Sequence, residues 1–455
     1  MIAITSGRNL AALTAVAAPI AALSLSLTTI IPQELTRNHG VSLAEAGLAF
    51  MLIRLADIFI DPFLGDLMDR TRSRMGRYQI WIVTGCVPLA CGVWMCFYPP
   101  ATVSMIYLVV ALALAYLGYS ILALAHLALC AAQTDDYAER GRVFGWWQRY
   151  TTAGILLTML IPKLLDGYLG LGLIQWMGVT ILALLTLSVM ATVLLARTRP
   201  ARANGTKGGL RAYLALFALP ATRRVILAEL LLGLSVGIGA VTGIMFATSV
   251  KGFTIGDFGT QIVVYFLVGV LTATVWGRIA ERFEKHRALI FGALGASVGQ
   301  SLFLFVPQGN VPMLMVPAAI GGFFYGATYM LPRAMIADAA DEERLVRGAD
   351  RTALLYALLT GVFKLGHALS VGIGLLALAA FSYVPALAER NTPAALTGLT
   401  FVYIGLPMLC SLGSMLAMFG YPLTRQRHQE IRAVLAARDD AQANAGSFEE
   451  TGAAA

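Results

Sequence analysis

Apolar residues along this chain gather into runs of about twenty or more, separated by short polar stretches. The runs lie near residues 9–32, 43–68, 79–98, 103–131, 143–166, 170–196, 223–249, 258–280, 287–306, 311–337, 352–382 and 396–421. A helix needs about 20 apolar residues to cross a ~30 Å hydrocarbon core, so the pattern predicts an all-α integral membrane protein with twelve transmembrane helices. Composition agrees: of 455 residues 58% are hydrophobic and only 13% charged, with a mean hydropathy of +0.74, far from a soluble domain. The first run is too long for the apolar segment of a signal peptide and no small-residue cleavage site follows it, so it counts as a helix. Cys86, Cys91, Cys96, Cys130 and Cys410 all fall inside apolar runs without CxxC or Cys/His spacing. They read as core residues, and neither a metal site nor a cofactor is expected.

The formal net charge of +8 is distributed as in a membrane protein, not as a nucleic-acid-binding patch. Basic residues crowd alternate loops: Arg70, Arg72, Arg74 and Arg77, then Arg140 and Arg142, then the segment from Arg197 to Arg224, then Arg282, Lys285 and Arg287, then Arg344, Arg347 and Arg351, then the tail from Arg425. The intervening loops offer little beyond Arg37, Lys163, Lys251 and Arg390. The positive-inside rule then places both termini and the central loop in the cytoplasm, and an even number of helices agrees. A multi-pass, monomeric protein of the cytoplasmic (inner) membrane is expected, with lipid and a small molecule as its partners and no nucleic acid.

The longest polar interruption divides the helices six and six. It predicts an N-terminal bundle over 1–196, a central loop over 197–223, a C-terminal bundle over 224–423 and a partly disordered, charged tail over 424–455. The halves carry matching punctuation: Gly65 to Arg77 after the second run corresponds to Gly277 to Arg287 after the eighth, and Thr134 to Arg142 after the fourth to Ala337 to Gly348 after the tenth. Such loops read either as solvated helix ends or as a cytoplasmic gate of ion pairs. For the gate, Asp69, Arg70, Arg77, Asp136, Arg140, Asp338 and Asp341 are the candidates.

The second run holds the strongest chemical signal. Asp57 and Asp61 are four residues apart, hence on one helical face, with Arg54 one turn before. A carboxylate at mid-bilayer costs about 2.5 to 3.5 kcal/mol to insert, so the pair costs roughly 5 to 7 kcal/mol unless it faces partners or a polar path. Either Arg54 neutralises one acid in a buried salt bridge, which leaves the other unexplained, or the pair lines an ion or proton route. Lys364, deep in the eleventh run, is a counter-charge for the acids or a lysine snorkelling to the interface. His126 and His367 lie in the fourth and eleventh runs and read as titrating or as packing groups. Tyr119, Ser120, Trp147, Arg149 and Tyr329 add aromatic faces and donors of the kind that suit a sugar ring or another amphipathic ligand, or that simply pack.

The segment DIFIDPFLGDLMDRTRSRMGR (Asp57 to Arg77) resembles the signature of the glycoside-pentoside-hexuronide:cation symporters, the melibiose permease family of the major facilitator superfamily. Similar stretches recur at TDDYAERGRV, YMLPRAMIADAAD and FKLGHAL, so the resemblance spans both halves. It implies a major facilitator fold of two pseudo-symmetric six-helix bundles and cation-coupled sugar symport by alternating access. It also implies that Asp57 and Asp61 are the cation-site acids, with Ser120 as a nearby hydroxyl and Lys364 as the facing lysine. Tyr119 and Tyr329 would lie near the sugar, a helix-5 arginine would align near Trp147 or Arg149, and Arg54, His126 and His367 complete the candidate substrate residues. The chain departs from the family where its sugar-binding carboxylates align with Ala21 and Ala123, and where Ile60 replaces an amide ligand beside Asp61.

Sodium needs several oxygen ligands whereas a proton needs one carboxylate, and two close acids readily share a proton. Proton coupling is therefore favoured over Na+. The expected function is secondary active symport of a sugar or glycoside; the alternative keeps the fold but moves an amphipath such as a lysolipid, peptide fragment or drug. No catalytic or nucleotide-binding motif argues for an enzyme. The topology has a direct test: with Gly205→Cys in a cysteine-free background, a membrane-impermeant maleimide should label the central loop in inverted vesicles and not in intact cells. Labelling of intact cells would contradict the assignment.

Overall fold

The computed structural model describes residues 6–133, 137–198, 216–348 and 352–452. Its spans are α1 (Gly7–Thr29), α2 (Leu43–Arg70), α3 (Gln79–Phe97), α4 (Met105–Ala131), α5 (Tyr137–Leu165) and α6 (Leu173–Leu194) in the first half. In the second half they are α7 (Pro220–Ser249), α8 (Ile255–Phe283), α9 (Lys285–Ser301), α10 (Val311–Arg347), α11 (Thr352–Ala380) and α12 (Pro393–Met418). A helix in the tail, α13 (Arg425–Gly452), follows. Among the described residues ten spans are long and apolar enough to cross a membrane. The two remaining helices are α2 and α5, where internal charges lower the mean hydropathy. Those charges are what the other ten helices have to accommodate.

Several helices outlast their apolar runs at the end that carries both termini, called the basic end below. The tenth run ends near 337, yet α10 continues to Arg347 and closes on Gly348 in the left-handed conformation. A helix needs no apolar face once it leaves hydrocarbon, so charge marks the membrane boundary and not the helix end. The first run is also less regular than its pattern suggests: α1 is interrupted at Ala15 and Val16 and prolonged by Ile31–Asn38. In α12 the turn Phe401–Gly405 is a π-helix. There Pro407 has no amide to offer the carbonyl of Tyr403, and the Gln300 side chain donates to that carbonyl instead, at 2.7 Å.

The helices pack as two bundles. In the first, α3 lies on α4 and α1 on α5; in the second, α7 lies on α11 and α8 on α10. Between bundles the main contact is α2 on α11, flanked by α5 on α8 and α1 on α7. Close approach depends on small residues: Gly92 of α3 sits against Ala115, and Gly118 of α4 against Leu89. Across the bundles Gly47 lies against Leu375, and Gly372 against Met51.

The apolar core has two parts. One runs through the first bundle and continues into the second at the end away from the termini, through Val241, Phe246, Leu375 and Leu378. The other is confined to the basic end of the second bundle and takes in Ile431 and Leu435 of α13. The bundles thus share a core at one end and have separate ones at the other. The front of the tail is therefore docked, with His428 of α13 2.8 Å from Asp341 and 3.7 Å from Asp338 of α10.

The α3–α4 contact yields a stability test. Gly118→Val should force the helices apart and cost roughly 1–3 kcal/mol, the usual size of overpacking, seen as a lower unfolding temperature in detergent. Gly145→Ala, where a Cβ meets nothing within 4 Å, should leave that temperature unchanged or raise it.

Candidate functional site

The site is built on α2. Ser42 caps its N-terminus in a capping box with Glu45, and 28 residues of helix span roughly 42 Å at 1.5 Å per residue. The stretch from Arg54 to Asp61 consequently falls near mid-membrane. Pro62 lies inside the helix and removes the amide that would otherwise bond to the carbonyl of Ile58, between the two acids.

The acids have different partners. Asp57, 5% exposed, accepts a hydrogen bond of 2.5 Å from the hydroxyl of Ser120, a fully buried residue of α4. Asp61 pairs with the ammonium of Lys364 on α11 at 2.5 Å, and its other oxygen, Oδ1, is buried with no hydrogen-bond partner. Arg54 neutralises neither acid in an ion pair. Its guanidinium lies 4.6 Å over the ring of Tyr116 and 5.9 Å from that of Tyr119. The local salt bridge conceived from sequence is thus replaced by stacking on α4, and the ion pair forms between the bundles. With both acids ionised, Arg54, Asp57, Asp61 and Lys364 sum to zero charge. Any cation added here leaves a net positive site unless one of the two bases moves away.

An aromatic wall continues from Lys364 into the second bundle. His367 sits 4.8 Å from Phe363 on α11. Phe363 meets Tyr329 of α10 edge-on at 6.4 Å, and Tyr329 stacks on Tyr325 at 5.4 Å. The structure therefore gathers Arg54, Asp57, Asp61, Tyr119, Ser120, Lys364 and His367 around α2, α4 and α11, with Tyr329 reached through Phe363.

Three candidate substrate residues make other contacts. His126 is fully buried and donates from Nε2 to the carbonyl of Leu13 at 3.1 Å, so it ties α4 to α1 instead of facing the acids. Arg149 is exposed and lies over Trp146 of its own helix at 4.9 Å, and Trp147 packs against the core of the first bundle. Spacing along α4 could not separate His126 from inward-facing neighbours, because that helix is apolar nearly all round, and on α5 polar residues are spread over several faces. The residues aligned with the family's sugar carboxylates, Ala21 and Ala123, are half-buried and offer no polar group.

Of the gate candidates, Asp136 lies outside the described residues, as do the side chains of Asp69 and Arg140. Arg70 pairs with Asp66 one turn away at 2.7 Å, and Arg77 is half-buried. Asp338 meets Lys285 at 2.7 Å as well as His428, while Asp341 meets His428. Each ion partner found here belongs to the same bundle or to the tail.

The sequence reading missed Tyr116, the tail histidine His428, and a second buried ion pair, Glu229 of α7 with Arg333 of α10 at 3.5 Å. Glu229 is the one acid in the run 223–249 and Arg333 the one base in the run 311–337. That isolation was the available signal.

Against known proteins, the family model described as MFS/sugar transport protein matches residues 13–425. The chain is 26% identical over 427 residues to the uncharacterized symporter YnaJ of Bacillus subtilis (strain 168), covering 89% of each chain. It is 24% identical over 421 residues to the isoprimeverose transporter of Lactiplantibacillus pentosus, covering 89% of this chain and 86% of that one. Among solved structures, the nucleoside transporter NupG superposes with a TM-score of 0.67 at 15% identity, over 91% of this chain and 100% of that one. At that identity the likeness concerns the fold.

The α2–α11 pair predicts a non-additive stability pattern. Lys364→Ala leaves Asp61 without its cation and should lower the unfolding temperature. Its cost should be smaller than the ~3–5 kcal/mol of a fully buried pair, because the Lys364 side chain is 26% exposed. The double variant Asp61→Asn with Lys364→Ala should recover most of the loss. Additive losses in a double-mutant cycle would show that the two groups do not interact.

Proposed function

The chain belongs to the MFS/sugar transport protein family, as a transporter and not an enzyme, and from that premise we propose proton-coupled symport of a sugar or glycoside by alternating access. The observation that carries this reading is the Asp61–Lys364 pair, which links the two bundles directly beside the Asp57–Ser120 hydrogen bond. In this reading the basic end is cytoplasmic and the protein works as a monomer of the inner membrane.

The mechanism follows from the charge balance. While both acids are ionised, Lys364 holds α11 against α2. A proton arriving on the acid pair weakens the hold of the carboxylates on Lys364, so α2 and α11 are freer to part at that level. The shared apolar core at the far end and separate cores at the basic end support an assignment of this conformation as closed outside and accessible from the cytoplasm. Alternating access then means exchanging which end has the common core.

The donor set supports H+ over Na+. The site offers two carboxylates and one serine hydroxyl, and Ile60, whose side chain has no polar atom, stands in the sequence where the resemblance implies an amide oxygen for sodium. The substrate faces Tyr119, His367 and Tyr329, a wall of rings and donors that suits a sugar's apolar face and hydroxyls. The isoprimeverose transporter among its relatives supports that substrate class.

Reconstituted in proteoliposomes and screened against mono- and disaccharides, the protein should accumulate substrate under an inward proton gradient and not under a sodium gradient alone. Asp57→Asn and Asp61→Asn should each abolish accumulation while retaining substrate exchange. Full concentrative uptake by both variants would sink the coupling assignment, and uptake driven by sodium alone would reassign the ion.

A further inference from the structure

The second buried ion pair lies wholly within the C-terminal bundle and has no part in the mechanism above. Its two members are held very unequally. Arg333 lies with its guanidinium 3.8 Å over the ring of Tyr329 and 5.6 Å from that of Phe363. It also donates to the backbone carbonyl of Tyr329, and its side chain is 29% exposed. Glu229 is 1% exposed, its ion partner is Arg333 at 3.5 Å, and its Oε1 is buried without any hydrogen bond. Arg333 would therefore remain solvated and stacked without Glu229. An ionised Glu229 without Arg333 would be a bare charge in low dielectric, which costs several kcal/mol.

The helix that carries Arg333 also has a place to bend. Pro332 precedes it directly inside α10 and has no amide to donate to the carbonyl of Thr328, and prolines are where helices kink. Beyond this point α10 is anchored at the basic end by Lys285 and His428. A change of bend at Pro332 thus moves Arg333 relative to α7. The groups facing Glu229 from α10 are Arg333 and Tyr325. On α11 the ionisable groups at this depth are Lys364, held by Asp61, and His367, beside Phe363. Along α12, where Gly413 is level with Leu231 of α7, the nearest are Cys410 and, past its end, Tyr421. No second cation stands ready to replace Arg333 among these.

We infer that Glu229 is a second proton-binding site, separate from Asp57 and Asp61, which binds a proton when α10 draws Arg333 away and releases it when the pair re-forms. The step balances: one proton passes from hydronium to a carboxylate oxygen to give a neutral carboxylic acid, and returns to water on re-pairing. The inference rests on the alternating-access reading for its motion, but its test reads protonation directly and needs no substrate.

The test is infrared difference spectroscopy of the full chain in lipid, titrated through neutral pH, reading the carbonyl stretch of protonated carboxyl groups. Wild type should gain, on acidification, a band that shifts when the protein is made with 13C-carboxyl glutamate. That band should persist in Asp57→Asn and Asp61→Asn and vanish in Glu229→Gln. In labelled Arg333→Gln it should be present from the alkaline end of the titration, so the assignment can be read even where Glu229→Gln does not fold. No glutamate-labelled band in wild type, or one that neither Glu229→Gln nor Arg333→Gln alters, would overturn the site. Loss of bands in the aspartate variants alone would leave the acid pair of α2 as the protonation site.

Discussion

Charge in hydrocarbon must be paired, and in this molecule the pairing crosses between its two halves. Asp61 of α2 has its cation on α11, from the other bundle. The alternative partner, Arg54, lies only two helical turns away on the same helix, yet it is spent on the rings of Tyr116 and Tyr119. Had Arg54 neutralised Asp61, the acids would have been a local feature of one helix and α2 would have met α11 without an ion pair between them. Because the pair is distributed, the electrostatic cost of one bundle is relieved only by the position of the other. The pairing of α2 thus depends on the position of α11.

Packing surrounds that pair with two different kinds of interface. On the side away from the termini, glycines let α2 and α11 approach closely, with Gly47 against Leu375 and Gly372 against Met51. The apolar core continues there from one bundle to the other. Dispersion contacts of this kind are short-ranged and are lost over a small separation. On the basic side, Asp338, Asp341, Lys285 and His428 form a cluster within the second bundle and its tail. This cluster holds α10 and α13 together.

The same logic explains why the second bundle carries its own buried pair. Glu229 and Arg333 face each other between α7 and α10, with Arg333 5.6 Å from the ring of Phe363, the residue before Lys364. A continuous series of rings and charges thus runs from Ser120 and Asp57 through Lys364 and Phe363 to Arg333 and Glu229. Elsewhere in the second bundle the π-turn of α12 places irregular backbone beside Phe246 and Phe303. Irregular backbone at membrane depth is tolerated where protein or water satisfies it, as Gln300 does for Tyr403.

The sequence by itself determined the membrane class, the number of spans and their grouping, because burial of about twenty apolar residues and the placement of arginines at one end are local properties. It also singled out Asp57, Asp61 and Lys364, since an ionisable residue inside an apolar run is conspicuous whatever surrounds it. Helix ends beyond the membrane were less legible, because hydropathy reports where hydrocarbon stops and α10 continues past it. The tertiary structure alone decided which base serves which acid, that His126 ties α4 to α1, and that Arg149 stacks on Trp146 of its own helix. Those outcomes depend on the rotation of each helix about its axis and on its neighbours across the bundle boundary. On helices apolar all round, no periodicity in the sequence records that rotation.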